Sequence, residues 1–277
     1  MAASEFLKNY ELVESTIKKL YDSKLRLAIL DALKEKPMRL ADLRNAVNAN
    51  APNTSSKAKE LEDMGLVERM EGDYQLTPYG RAIVQRMSES LQFYATYEKF
   101  KEFWETHDTS GIPDFLWARL GDLEDSRLVT VDEGDMTAIH NTFMELLKSV
   151  QKSFCGVSPA YHKEWWAMLV SLAKKGVDTH IIVTSEIIRM CIKNAGGNQI
   201  KELDSCSNAH FGLCQENLKV AFTVCESFLA MGLNDKGGRY TMDMDLQSTS
   251  PRAIQWGLDL FEYYRKQAKP VKLSDFL

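Results

Sequence analysis

PNTSSKAKELEDMGLVERMEGDYQLTPYG, Pro52–Gly80, is the stretch whose reading decides the fold. Proline suits the first turn of a helix, where its missing N–H costs nothing, and Asn53, Thr54 and Ser55 offer capping oxygens beside it. A helix over Pro52–Met64 follows. Gly65 ends it by taking the left-handed conformation, which brings Leu61 and Leu66 to the paired apolar positions of a Schellman ending. Leu66–Arg69 and Tyr74–Thr77 then read as two short strands around the polar turn Glu71-Gly72-Asp73, the pattern of a β-wing.

Working upstream, Leu25, Ile29 and Leu33 recur at helical spacing with Leu30 widening the stripe, so Ser23–Lys36 is an amphipathic helix capped by Ser23 and stopped by Pro37. Leu40, Leu43 and Val47 mark a second, shorter helix, and Asn48–Ala51 a turn. Helix, helix, turn, helix, wing is the winged helix-turn-helix order. The third helix turns Ala58 and Leu61 to the core. Asn53, Thr54, Ser55, Ser56, Lys57 and Lys59 are left for double-stranded DNA in the major groove. Lys57, Lys59 and the wing residue Arg69 supply charge for phosphate, and Asn53 or Ser56 reads a base edge. The competing reading is a solvated polar face on a module that contacts protein.

Charge supports the nucleic-acid reading by its distribution. The net charge is −5 over 277 residues. Ser23–Lys59 nevertheless carries Lys24, Arg26, Lys34, Lys36, Arg39, Arg44, Lys57 and Lys59 against Asp31, Glu35 and Asp42, a basic segment on an acidic body. A hydrophobic content of 44% with 26% charged residues excludes wholesale disorder. The length suggests two domains. Charge interrupts every apolar run, so no membrane span is expected, and Met1–Tyr10 lacks the pattern of a signal peptide. Cys155, Cys191, Cys206, Cys214 and Cys225 are odd in number and unpaired in spacing, which suits reduced thiols in a cytoplasmic protein.

Beyond the wing, residues 81–110 read as a linking helix, running from about Arg81 to Glu105. Ile83, Met87, Leu91 and Tyr94 form one stripe; Phe93, Tyr97, Phe100 and Trp104 form another. So much apolar circumference either packs on the chain's own domains or makes a homodimer, and a two-fold operator favours the dimer. Residues 111–277 alternate strands (Arg127–Asp132, Ser153–Val157, Val177–Thr184, Lys219–Val224, Ser227–Leu233, Tyr240–Leu246) with helices (Asp135–Val150, Tyr161–Lys175, Glu186–Asn194 and one after Ser250). Gly196–His210 reads as a polar loop. The fold class expected is therefore α+β overall: a winged helix-turn-helix over residues 1–80, the linking helix, and an α/β effector domain.

Catalytic signatures are missing from the sequence. There is no nucleotide-binding glycine motif, no G-x-S-x-G and no H-E-x-x-H, and the five histidines lie far apart, so no catalytic residue, cofactor or metal is assigned. Cys206 and Cys214 around His210 are read as an ordinary loop in preference to a metal or redox site. Asp243 and Asp245, on one face of a hairpin strand, are read as solvent-facing. If a small-molecule effector binds, the C-terminal ends of the strands are the place, which singles out Ser158, Pro159 and Tyr161, and Thr184, Ser185 and Glu186.

LRLAILDAL (Leu25–Leu33), TSSKAKELEDMGLVE (Thr54–Glu68) and LTPYG (Leu76–Gly80) resemble the winged-helix half of archaeal regulators. CGVSPAYHKEW (Cys155–Trp165) and AIQWGLDLFEYY (Ala253–Tyr264) resemble the effector domain of the methanogenesis-and-filamentation regulators. The resemblance implies a transcription factor of methanogenic archaea acting on methane-metabolism genes. It also implies an effector domain akin to one phospholipase-D-like half, a fold in which related sugar-sensing regulators bind ligand. That phospholipase signature needs H-x-K, whereas His162 and Lys163 are adjacent here. A phosphodiester hydrolase is the alternative function, and this departure weighs against it.

Overall fold

Ser4 accepts the Leu7 N–H and starts a helix that the sequence reading did not anticipate, α1 (Glu5–Tyr21). It is the first element of a computed structural model that describes residues 4–131, 138–195, 197–215 and 217–277. The chain divides into two units, residues 1–91 and 92–277.

In the first unit α1 is followed by α2 (Lys24–Glu35), α3 (Leu40–Ala46) and α4 (Ala51–Asp63), then β1 (Val67–Met70) and β2 (Asp73–Leu76). Leu20, Ile29, Leu30, Leu33, Leu43, Ala58, Leu61, Leu66 and Leu76 close its core. The wing is an antiparallel pair with Met70 opposite Asp73. Glu71 and Gly72 both take positive φ (53° and 97°), as a two-residue hairpin turn requires. The Schellman ending forms as read, with Gly65 at φ 70°, its N–H on the Glu62 carbonyl and the Leu66 N–H on that of Leu61. The helix start differs. Asn50 is the N-cap, its side chain accepting the Asn53 N–H at 2.9 Å, and Pro52 is the second helical residue.

α5 (Pro78–Lys99) carries the division between the units. Thr77 caps it, accepting the Gly80 N–H and donating to the Gly65 carbonyl. Gly80 lies so close to the Leu66 carbonyl that a Cβ would sit 1.9 Å from its oxygen, which explains why LTPYG joins wing to helix through glycine. The single long helix expected over 81–105 is broken at Phe100 (φ −115°, ψ 26°), and α6 (Lys101–Thr106) follows. The break turns Phe100, Phe103 and Trp104 into the core of the second unit.

After α7 (Asp114–Trp117), the second unit continues through β3 (Arg127–Thr130), α8 (Ala138–Leu147), β4 (Ser153–Ser158), α9 (Lys163–Lys174), β5 (Asp178–Thr184), α10 (Ser185–Ala195) and α11 (Gly197–Ser205). β6 (Ala209–Cys214), β7 (Val220–Cys225), β8 (Leu229–Leu233), β9 (Met244–Ser248), α12 (Pro251–Gln267) and β10 (Lys269–Val271) complete it. The strands form one sheet in the order β10-β6-β5-β4-β7-β8-β9-β3. β4, β5 and β6 are parallel, joined by crossover helices, and the remaining pairings are antiparallel. Apolar clusters cover both faces. One centres on α12, where Trp256 is fully buried and donates its indole N–H to the Leu116 carbonyl at 3.0 Å. The other lies among α8, α9, α10 and α11.

Two boundaries correct the sequence reading. The expected loop 196–210 contains α11, whose Ile200 and Leu203 are buried while Asp204 accepts the N–H groups of Leu273 and Ser274. Two apolar residues are too few to betray a helix by periodicity; docking against the chain terminus makes it one. The strand expected over 240–246 begins only at Met244, so Asp243 precedes it. Positions 132 and 135, within an expected strand and helix, lie outside the described residues.

Candidate nucleic-acid interface and effector cavity

α4 presents one buried and one exposed side. Thr54, Ala58 and Leu61 are buried. Asn53, Ser56 and Lys59 are exposed, Ser55 and Lys57 half-buried. Thr54 is thus corrected from the DNA-facing set: its hydroxyl donates to the Asn50 carbonyl at 2.9 Å and sits inside the module. Lys57 is held too, its ammonium 2.7 Å from Glu60, and that hydrogen bond keeps the Glu60 carboxyl below the usual carboxylate range. Arg26, counted above with the basic segment, is buried and paired with both Glu60 and Asp22. Lys24, Lys36, Arg44, Lys59 and Arg69 have no carboxylate partner among the described residues. Arg69 lies on the exposed side of β1, its guanidinium 5.4 Å from the centre of the Tyr74 ring. The surface that α4 and the wing offer is therefore Asn53, Ser56, Lys59 and Arg69: two hydrogen-bonding side chains near a helix start, with two cations free to meet phosphate.

In the α/β unit a cavity of about 100 Å³ opens at the C-terminal ends of the parallel strands, on the face covered by α8, α9 and α10. Its walls are apolar, with Phe143, Phe154, Leu169 and Ile187 among them. Ser158 and Tyr161 line it. Thr184 and Ser185 do not; the Thr184 hydroxyl instead accepts the Ile187 N–H at the start of α10. His162, Thr223, Tyr240 and Asp245 add polar groups that the sequence reading did not select.

Asp245 overturns its expected place on a solvated face. It is buried (6% exposed), with the Gln247 amide donating to it at 2.8 Å. Burial pushes its carboxyl up to about 7, and Tyr240 is raised by burial and by the charge of Asp245 and Asp243. Alternation correctly places Asp245 and Gln247 on one face. It cannot say that helices cover that face. Near neutrality this carboxyl hydrogen-bonds as either donor or acceptor inside an apolar wall, a versatile contact for a ligand.

The histidines, scattered in sequence, come together in pairs. His140 and His162 stand 5.5 Å apart by ring centre, and His140 Nε2 is 2.9 Å from Glu164 at the cavity edge. His180 and His210 stack beside Asp178 on the opposite face of the sheet. Cys206 and Cys214 take no part in either group. Cys155 and Cys191 are pushed up to about 12 by burial, so they are inert as thiols.

Comparison with known proteins bears on both units. The model of the FilR1 methanogenesis regulatory protein N-terminal domain matches residues 14–94, and that of its middle domain residues 136–267. The chain belongs to the FilR1 family. A curated relative, the methanogenesis regulatory protein FilR1 of Methanothrix harundinacea (strain 6Ac), is 25% identical over 263 residues. That match takes in 94% of this FilR1-family chain and 58% of the relative, so the chain spans less than two thirds of the relative's length. Among solved structures, TrmBL2, an archaeal chromatin protein, is 15% identical with a TM-score of 0.42, covering 95% of this chain and 99% of its own. The phospholipase D family member Nuc from Salmonella typhimurium is 13% identical with a TM-score of 0.38, covering 53% and 97%. Both are distant likenesses.

Proposed function

We propose that this FilR1-family chain is a DNA-binding transcription regulator of a methanogenic archaeon that controls methane-metabolism genes. It acts in the cytoplasm as a homodimer and takes a small-molecule effector in its α/β unit. The observation that carries the reading is the uncovered side of α4, where Asn53, Ser56 and Lys59 follow one another at helical spacing and Arg69 extends the cationic surface on the wing. DNA affinity is dominated by phosphate contacts, and these side chains supply them while leaving Asn53 and Ser56 to meet base edges.

Two further features support the assembly and the sensing role. α1 turns Phe6, Tyr10, Val13 and Ile17 outward in one stripe, with Phe6 79% exposed, an apolar surface suited to a second copy of the chain. Leu91 and Tyr94 on α5 are exposed as well, whereas Phe100 and Trp104 are consumed by the chain's own core. The α/β cavity, with Ser158, Tyr161 and Asp245 in an apolar wall, is the effector site. We read the α/β unit as one phospholipase-D-like half without that chemistry, because His162 and Lys163 are adjacent and no H-x-K occurs in the chain. Among the described residues no helix is long and apolar enough to cross a membrane.

Duplex selected from a random library by the full chain tests the reading. Lys59→Ala and Arg69→Ala should each weaken binding across all selected sequences and make the salt dependence shallower by about one counterion. Lys57→Ala should do less, since Glu60 already holds that ammonium. Unchanged affinity in the folded Lys59→Ala/Arg69→Ala double variant would overturn the proposal.

A further inference from the structure

We propose that Asp178, His180 and His210 form a binding site for a divalent transition metal such as Zn²⁺. The site lies at the N-terminal ends of β5 and β6, on the sheet face that packs against α12, away from the effector cavity at the other ends of those strands.

Sheet register builds it. His180 on β5 pairs directly with His210 on β6. Paired residues on neighbouring strands point to the same face, about 4.8 Å apart in the hydrogen-bonding direction. The two imidazoles accordingly stack, with ring centres 4.5 Å apart and planes at 22°. Asp178, two residues before His180, shares that face by strand alternation. Its two oxygens divide between the rings: one is 3.1 Å from His180 Nε2 and the other 3.4 Å from His210 Nε2. Phe261 of α12 sets its ring against His180 at 6.3 Å, closing one flank. Cys155 continues the row on β4 opposite His180, but it is buried and its sulfur is not among the converging atoms.

The separations suit an ion. One ring nitrogen from each imidazole and one carboxylate oxygen all lie within 4.8 Å of each other. Zinc holds histidine nitrogen and carboxylate oxygen at about 2.0–2.2 Å, which sets neighbouring tetrahedral donors about 3.3 Å apart. The two nitrogen–oxygen distances, each to a different oxygen of Asp178, are already near that value, so a rotation of the exposed carboxylate with a shift of the exposed His210 ring and the half-buried His180 ring completes the set. Two imidazoles and a carboxylate select zinc, iron, nickel or copper over magnesium and calcium, whose sites are built from oxygen. Three protein donors leave a coordination position open to solvent. Neither the proposed DNA surface nor the effector cavity uses these residues, so the inference stands apart from both.

The test is titration of the metal-free full chain with Co²⁺, followed by its visible absorption and by displacement with Zn²⁺. One equivalent should bind, and Zn²⁺ should displace it. His180→Ala and His210→Gln should each weaken that equivalent at least tenfold, and Asp178→Asn should weaken it measurably, with circular dichroism confirming the fold of each variant. His140→Ala/His162→Ala should leave it in place, which separates this site from the other histidine pair. Absence of a bound equivalent in the unaltered chain would overturn the proposal. So would an equivalent that survives in His180→Ala/His210→Gln, or one that vanishes with the His140→Ala/His162→Ala change.

Discussion

Replacing Asp245 with asparagine should make the second unit more stable at alkaline pH and remove much of its pH dependence. Asparagine keeps the size of the neutral acid and still accepts the hydrogen bond that Gln247 donates at 2.8 Å. Each tenfold change in proton affinity is worth about 1.4 kcal/mol. A carboxyl held at about 7 in the folded chain, against an ordinary value near 4 in the unfolded one, therefore costs about 4 kcal/mol once it is forced to ionise at pH 8. The sign follows from proton binding. Between about pH 4 and pH 7 the folded chain retains a proton that the unfolded chain has released, so stability falls as pH rises through that window and levels off above it. By pH 5 only about a third of the effect has appeared, which leaves about 3 kcal/mol to be lost between pH 5 and pH 8. All five tryptophans (Trp104, Trp117, Trp165, Trp166 and Trp256) fall after Leu91. Urea unfolding of the full chain followed by tryptophan fluorescence therefore reports the second unit by itself. If Asp245→Asn changed with pH over that range as the unaltered chain does, to within about 1 kcal/mol, the account of a neutral buried carboxyl would be refuted.

Two other perturbations probe the first unit. Gly80→Ala places a methyl group against the Leu66 carbonyl, so wing and helix must shift; denaturant unfolding should show a loss of at least 1–3 kcal/mol, roughly the range for overpacking, and an unaffected midpoint would contradict the junction described. Val13→Glu or Ile17→Glu on the exposed stripe of α1 should convert a homodimer to a monomer in sedimentation equilibrium, and a variant that sediments as the unaltered chain does would remove α1 from the interface.

Legibility from sequence tracked the range over which the physics acts. The ending at Gly65 and the turn at Glu71-Gly72 were readable because their backbone demands are met within six residues. The start of α4 lies one residue before the expected one, since several neighbouring polar side chains compete to cap and only geometry selects Asn50. Of the residues assigned to DNA, Thr54 was the misleading one, and Lys57 is the one that pairs within its own helix. A small hydroxyl satisfied by a backbone carbonyl can be buried cheaply, and a lysine three residues from a glutamate on one helix finds it. At the cavity of the α/β unit Ser158 and Tyr161 followed from the rule for strand ends, whereas Thr184 went to a helix start and Asp245 arrived from a strand read as solvated.

The amino-acid sequence alone specified the winged module, the α/β texture after residue 111 and the family motifs, because caps, turns and alternation are encoded by neighbours along the chain. Tertiary structure decided which polar face is covered and which histidines meet. His180 and His210 lie thirty residues apart and come into contact through the pairing of β5 with β6. Asp245 loses its water to helices packed on the sheet. Strand register and layer packing are collective properties of the folded chain, and a local pattern carries no record of the partner it will face.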